Sequence, residues 1–145
     1  TFVSLFLLTG IVYSIVRIQQ IRKAEKAELN IIATPPAPEA LKNTRFEKIL
    51  EHIGSDTPND WRQAIIEADI LLDEMVSIMG YRGENLGDKM KQIEKSDFKT
   101  LDAAWDAHKV RNTIAHEGSN FILTQREARR VIALYRQVFE EFEFV

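Results

Sequence analysis

The chain has 145 residues, 45% of them apolar and 28% charged, with a formal net charge of −3. This length suits one domain plus an appendage, and the apolar share argues for a packed core and against global disorder. The acidic balance argues against wholesale electrostatic binding of nucleic acid, although it leaves room for a local basic patch. With no cysteine, disulfides and thiolate metal sites are excluded. Scarce glycine beside plentiful Leu, Ile, Ala, Glu, Lys and Arg favours helix over sheet.

The chain begins at Thr1, as expected of a fragment or a processed product. Residues 1–16 carry no charge and read as a transmembrane helix, slightly short of the ~20 residues that span a bilayer. Ile18 with a snorkelling Arg17, or residues upstream, would complete the span. Arg17, Arg22, Lys23 and Lys26 follow at once, which orients the following domain toward the cytoplasm and predicts a single-pass protein of the cell membrane. A secretory signal peptide is the competing reading, but it needs positive charge before the apolar run and a small-residue cleavage site after it. Residues 17–30 have the composition of a basic helical stalk. Residues 31–43 form a linker holding Pro35, Pro36 and Pro38, three of the four prolines. At about 3.1 Å per residue, ten such residues hold a domain about 30 Å from the bilayer.

Residues 44–145 read as a bundle of four or five helices. The first helix is expected over Thr44–Ile53, ending at Gly54. A turn through Asp56–Asp60 then offers Asp60 as an N-cap. The second helix places Trp61, Ala64, Ile65, Ala68, Leu71, Leu72, Met75 and Met79 on one stripe, with Ile66 and Ile70 suggesting a second covered surface and Gly80 as the stop. A short helix carries Leu86, Met90 and Ile93. The next is expected from Ser96 or Asp97 to His116. In the last helix Thr124 and Glu127 form a capping box, and Ala128, Val131, Ile132, Tyr135, Val138, Phe139 and Phe142 make its apolar face. The core is predicted to bury Trp61, Ile65, Leu72, Trp105, Ile114, Val131, Tyr135 and Phe139.

Chemistry concentrates between Trp105 and Gly118. His108, Asn112 and His116 recur every four residues and share one helical face, and Arg111 flanks that row. Ala103, Ala107, Val110 and Ile114 form a separate apolar face. A guanidinium binds phosphate oxygens through its planar fork, and imidazole moves protons near neutral pH. Asparagine can orient either partner. RNA cleavage by its own 2′-hydroxyl needs only those jobs and no metal. The same residues also suit structural roles: His116 as a cation on the helix dipole, Arg111 paired with Glu67, Asp69 or Glu74, and His108 as a satisfied core histidine. Metal binding by His108 and His116 lacks a third ligand nearby.

Arg111-Asn112-x-x-x-His116 resembles the Arg-x(4–6)-His signature of HEPN domains (higher eukaryotes and prokaryotes nucleotide-binding), in which Asn commonly follows the Arg. The setting is similar too, with the motif closing one long helix ahead of a short loop and a last amphipathic helix. The resemblance covers about Asn43 to Val145; the expected anchor and acidic charge depart from a typical member, and the whole layout looks like that of bacterial single-pass membrane proteins. It implies a helical bundle that commonly pairs as a homodimer, with two motifs facing one cleft. Many members are metal-independent endoribonucleases needing no cofactor, and others are non-catalytic RNA-binding or protein-assembly modules. Carried over, Arg111 and His116 become the catalytic pair and Asn112 the polar helper. His108 and an acidic residue from an earlier helix, Glu67 or Asp69, become auxiliaries.

Overall fold

The computed structural model describes residues 38–145, and every regular element in that range is helical. The expected transmembrane helix and stalk, and the proline linker up to residue 37, lie outside the described residues. Among those described, no helix is long and apolar enough to cross a membrane.

Helix α1 spans Pro38–Gly54, six residues longer at its start than the sequence suggests. Proline is tolerated in a first turn, where its missing N–H is unneeded, so Pro38 opens the helix instead of extending the linker. Thr44, expected near the start, instead bonds the Ala40 carbonyl from within the helix at 2.8 Å. Helix α2 spans Pro58–Ile78, and its N-cap position is Thr57, not Asp60. Pro58 takes the first helical position, and Asp60 sits in the first turn, where the helix dipole favours a carboxylate. Gly80, at φ +97°, ends the helix. Its N–H bonds Ser77 O at 3.0 Å and the Tyr81 N–H bonds Val76 O at 3.2 Å, the paired closure of a Schellman turn.

Helix α3 is a single turn, Leu86–Met90, capped by the Asn85 side chain on the Asp88 N–H at 2.9 Å. Helix α4 runs Leu101–Glu117, starting later than the expected Ser96 or Asp97. Its start is set by a distant residue. The Glu141 carboxylate accepts from the Lys99 and Thr100 amides at 2.9 and 2.8 Å and from the Thr100 hydroxyl at 2.6 Å. A 3₁₀ turn over Gly118–Asn120 leads to helix α5, Gln125–Glu141. Half of the expected capping box forms. Thr124 Oγ1 accepts from the Glu127 N–H at 3.2 Å, but the Glu127 carboxylate turns to Arg130 at 2.6 and 2.9 Å.

Helix α2 is the centre of the bundle and packs on α1, α3, α4 and α5; α1 and α3 also touch α5 and α4, which lie against each other. Ile65, Leu71, Leu72, Met75, Val131, Tyr135, Val138 and Phe139 form the buried middle, with Phe46 edge-on to Phe139 at 5.7 Å. Trp61 and Trp105 are only half-buried at its rim. Trp61 stays there because its indole N–H needs an acceptor and finds the Ser55 carbonyl at 2.8 Å. Met79 and Ile70 are 37% and 39% exposed, so the end of the α2 stripe is uncovered, and of the second apolar surface only Ile66 is half-buried.

Candidate functional site

A cleft of about 470 Å³ opens between α2, α3 and α4. Helix α4 contributes His108, Arg111, Asn112 and His116, α2 contributes Asp69, Ile70 and Asp73, and Asn85 and Leu86 close the third side. The spacing of four that put His108, Asn112 and His116 in one row therefore brings all three to one cavity, with Arg111 beside them. The helix is rotated from its expected phase, however. Leu101, Ala104, Ala107, His108 and Ile114 are buried, whereas Ala103 and Val110 are half-exposed. His108 thus begins the polar row inside the protein, and His116 ends it in solvent.

Asp69 organises the interior. Its side chain is only 6% exposed and serves three partners. Oδ1 accepts from His108 Nδ1 at 2.8 Å and from the Tyr135 hydroxyl at 2.9 Å, and Oδ2 lies 3.2 Å from Arg111 Nε. The Arg111 contact is Coulombic, because the buried Nε–H is not aligned as a hydrogen bond. Since a carboxylate only accepts, His108 carries its proton on Nδ1 and its Nε2 accepts from Asn112 Nδ2 at 3.1 Å. Asn112 Oδ1 in turn accepts from Arg111 Nη1 at 3.1 Å. The chain Tyr135–Asp69–His108–Asn112–Arg111 closes back on Asp69 and holds the guanidinium from two sides. Burial pushes the Tyr135 hydroxyl well above its ordinary pKa of 10.0, and the adjacent Asp69 charge and hydrogen bond push it further, so Tyr135 remains a donor.

Arg111 retains 34% side-chain exposure, and among the described residues nothing accepts from its Nη2. His116 stands exposed in the last turn of α4, where the helix closes through the Gly118 N–H on Ile114 O rather than through the imidazole. Arg62 of α2 donates to the Phe121 carbonyl and, at 3.4 Å, to that of Gly118, fastening the loop that follows His116. Gly87 lets α3 close over the site: a Cβ there would stand 3.2 Å from Asn85 Oδ1 and 3.7 Å from His108 Nε2.

Of the two acidic candidates only Asp69 belongs to the cleft. Glu67 lies two residues away, about 200° around the helix, and faces α1 instead. There it accepts from Gln63 at 3.1 Å and pairs with Arg45 at 3.7 Å, while Glu74 binds the same arginine at 2.8 Å. Sequence reasoning missed Tyr135 as a polar member of the site, having assigned it to the core stripe. A tyrosine on a stripe of aliphatic and phenylalanine side chains is itself a signal, since a buried hydroxyl requires an acceptor. The pairing of Asp73 with Lys89 at 2.8 Å, on the far wall, had no such signal.

The carboxylates of the cleft are thus spent on internal partners, while among the described residues the outer Nη2 edge of the Arg111 guanidinium and a solvent-facing imidazole have no partner. An arrangement of that kind favours an anion with planar oxygen geometry adjacent to a group that loses or gains a proton. No protein-family model, curated protein or solved structure gives a significant match to this chain.

Proposed function

We propose that the domain of residues 38–145 is HEPN-like and binds RNA at the α2–α4 cleft, with Arg111 on a phosphate and His116 as the proton-transfer group of a metal-independent endoribonuclease. One observation carries this reading. The Arg111 guanidinium is held by Asp69 and Asn112 yet open on its outer edge, in the same cleft as His116, an exposed histidine without a partner among the described residues. In the reaction the RNA 2′-hydroxyl loses its proton to an imidazole and attacks the adjacent phosphorus. The bond to the 5′-oxygen breaks, that oxygen takes a proton from an imidazolium, and the products are a 2′,3′-cyclic phosphate and a 5′-hydroxyl. Base and acid are separate jobs, and His116 supplies one of them per chain. A symmetric homodimer supplies the other, together with a second arginine for the phosphate charge. Residues 1–16 tether the domain to the cytoplasmic face of a membrane in this reading.

The test is incubation of the purified full chain with varied RNAs in excess chelator. Cleavage is expected to persist, to vanish in His116→Ala with thermal unfolding unchanged, and to drop severely in Arg111→Lys, which keeps the charge but loses the fork. Equal cleavage by both variants would remove the site from the mechanism.

A second reading, a non-catalytic interaction module, is favoured by the exposed apolar side chains of Ile70 and Ile78, 39% and 69% exposed, on the helix that forms one cleft wall. Folded wild-type protein that binds RNA or another protein at the cleft without cutting RNA is the outcome that selects it.

A further inference from the structure

A second cavity, of about 380 Å³, is lined by the end of α2, the loop that follows it and Lys89 of α3. The loop is tightly built. The Schellman closure at Gly80 sets its start, the Gln92 side-chain amide donates to the Arg82 carbonyl, and Gly83 lies so near α3 that a Cβ would stand 3.0 Å from both Asp88 Cβ and Lys89 N. This geometry presents two cations to the cavity. Arg82 is exposed at the rim, and among the described residues no acceptor takes its guanidinium. Lys89 lies deeper, with its side chain 13% exposed. An ammonium group has three N–H donors. Asp73 Oδ1 at 2.8 Å and Ser77 Oγ at 2.9 Å take two, and one is left for a ligand.

The two cavities share Asp73, which lines the first and binds the lysine of the second. Asp69, the carboxylate that holds Arg111, lies four residues before it on α2, about 6 Å along the helix axis. Arg111 and Lys89 are therefore each paired with a carboxylate on successive turns of one helix. Each of these carboxylates is paired with a cation, so neither is left as an unpaired negative charge. In a chain whose net charge is −3, such local donors must supply the electrostatic attraction that the whole molecule does not.

We propose that the Arg82–Lys89 cavity is a second phosphate subsite, which takes the phosphate adjacent to the one held by Arg111 on single-stranded RNA. This rests on the reading of the cleft as an RNA site and extends it from one phosphate to a directed strand. Arg82 is a binding residue that sets where along the strand the cleft engages; it plays no part in bond breaking.

The experiment is fluorescence anisotropy on the full chain, with fluorescein-labelled 2′-O-methyl RNA that cannot be cleaved, as a dinucleotide with one internal phosphate and as a hexanucleotide. Arg82→Gln is expected to weaken the hexanucleotide roughly fivefold to tenfold and to lower the slope of log affinity against log salt by about 0.7, one phosphate contact on a single strand. Dinucleotide binding should be unchanged in that variant, whereas Arg111→Gln should weaken both ligands. An Arg82→Gln protein that binds the hexanucleotide with wild-type affinity and slope, while Arg111→Gln does not, overturns the subsite and leaves the cleft reading standing. Loss of both ligands in Arg82→Gln also overturns it, because a subsite beyond the first phosphate cannot affect a ligand that has only one. If wild-type protein binds neither strand, or if Arg111→Gln binds both normally, the cleft reading falls and the subsite with it.

Discussion

Asp69 is the residue on which the site depends. Removing a carboxylate from water is unfavourable unless its oxygens are repaid by close partners, and this one has an imidazole, a phenol and a guanidinium. Taking it away leaves three oriented donors facing an empty space. Asp69→Ala is expected to lower stability by about 3–5 kcal/mol in urea unfolding. Tyr135→Phe, which removes one bond to a charged acceptor, should cost about 1.5–3 kcal/mol. His116→Ala, on an exposed side chain outside the network, should stay within about 0.5 kcal/mol of wild type. Equal costs for Asp69→Ala and His116→Ala would show that the network does not hold the fold. In the proposed reaction the contrast also separates roles, since Asp69 and His108 would act by positioning Arg111 and Asn112, whereas His116 has no structural partner among the described residues.

At the scale of elements, the start of α4 is capped by the end of α5. Burial alone would raise the Glu141 pKa, but hydrogen bonds from the Thr100 hydroxyl and the Lys99 and Thr100 amides outweigh it and set the value below the ordinary 4.5. A carboxyl whose folded pKa is depressed contributes stability above its unfolded pKa, and that contribution is lost as pH falls through the folded value. Wild-type protein should therefore lose stability faster than Glu141→Gln on acidification below about pH 4.5, and the two should converge at the acid end. Parallel unfolding curves from neutral pH into that range would exclude the cap. The packing of α2 gives a separate expectation. Ile65 is fully buried in the middle of the central helix, so Ile65→Ala should cost about 2–5 kcal/mol by leaving a cavity that four surrounding helices cannot all close upon.

For the whole molecule, the proposed chemistry needs two copies and a fixed side of a membrane. Ile70 in the cleft wall and Ile78 at the end of the same helix are exposed and give the bundle apolar surface for self-association. Sedimentation of the full chain is expected to show a dimer, and Ile78→Glu to shift it toward monomer. A wild-type monomer at all concentrations would mean that base and acid are not supplied by paired histidines. In the proposed reading, Arg17, Arg22, Lys23 and Lys26 after an uncharged segment place the bundle on the cytoplasmic side. Protease added outside intact cells should leave the bundle uncut, and its digestion there would reverse the topology.

Hydrophobic period and local spacing made the all-helical class, the buried stripes of α2 and α5 and the row His108–Asn112–His116 legible before any fold was known. Each depends on neighbours within one or two turns of the same helix. Glycine at position 80 and the Thr124 cap were legible for the same reason. The remaining features depend on residues far apart in the chain. The onset of α4 is set by Glu141, 41 residues after Thr100. The choice of Asp69 over Glu67 required knowing which side of α2 meets α4. Tyr135 joins the site across 66 residues of sequence, because the second, fourth and last helices all pack on one another. Periodicity states which face of a helix is buried; only packing states what is buried against it, and for a polar residue that partner decides whether it is fastened or free.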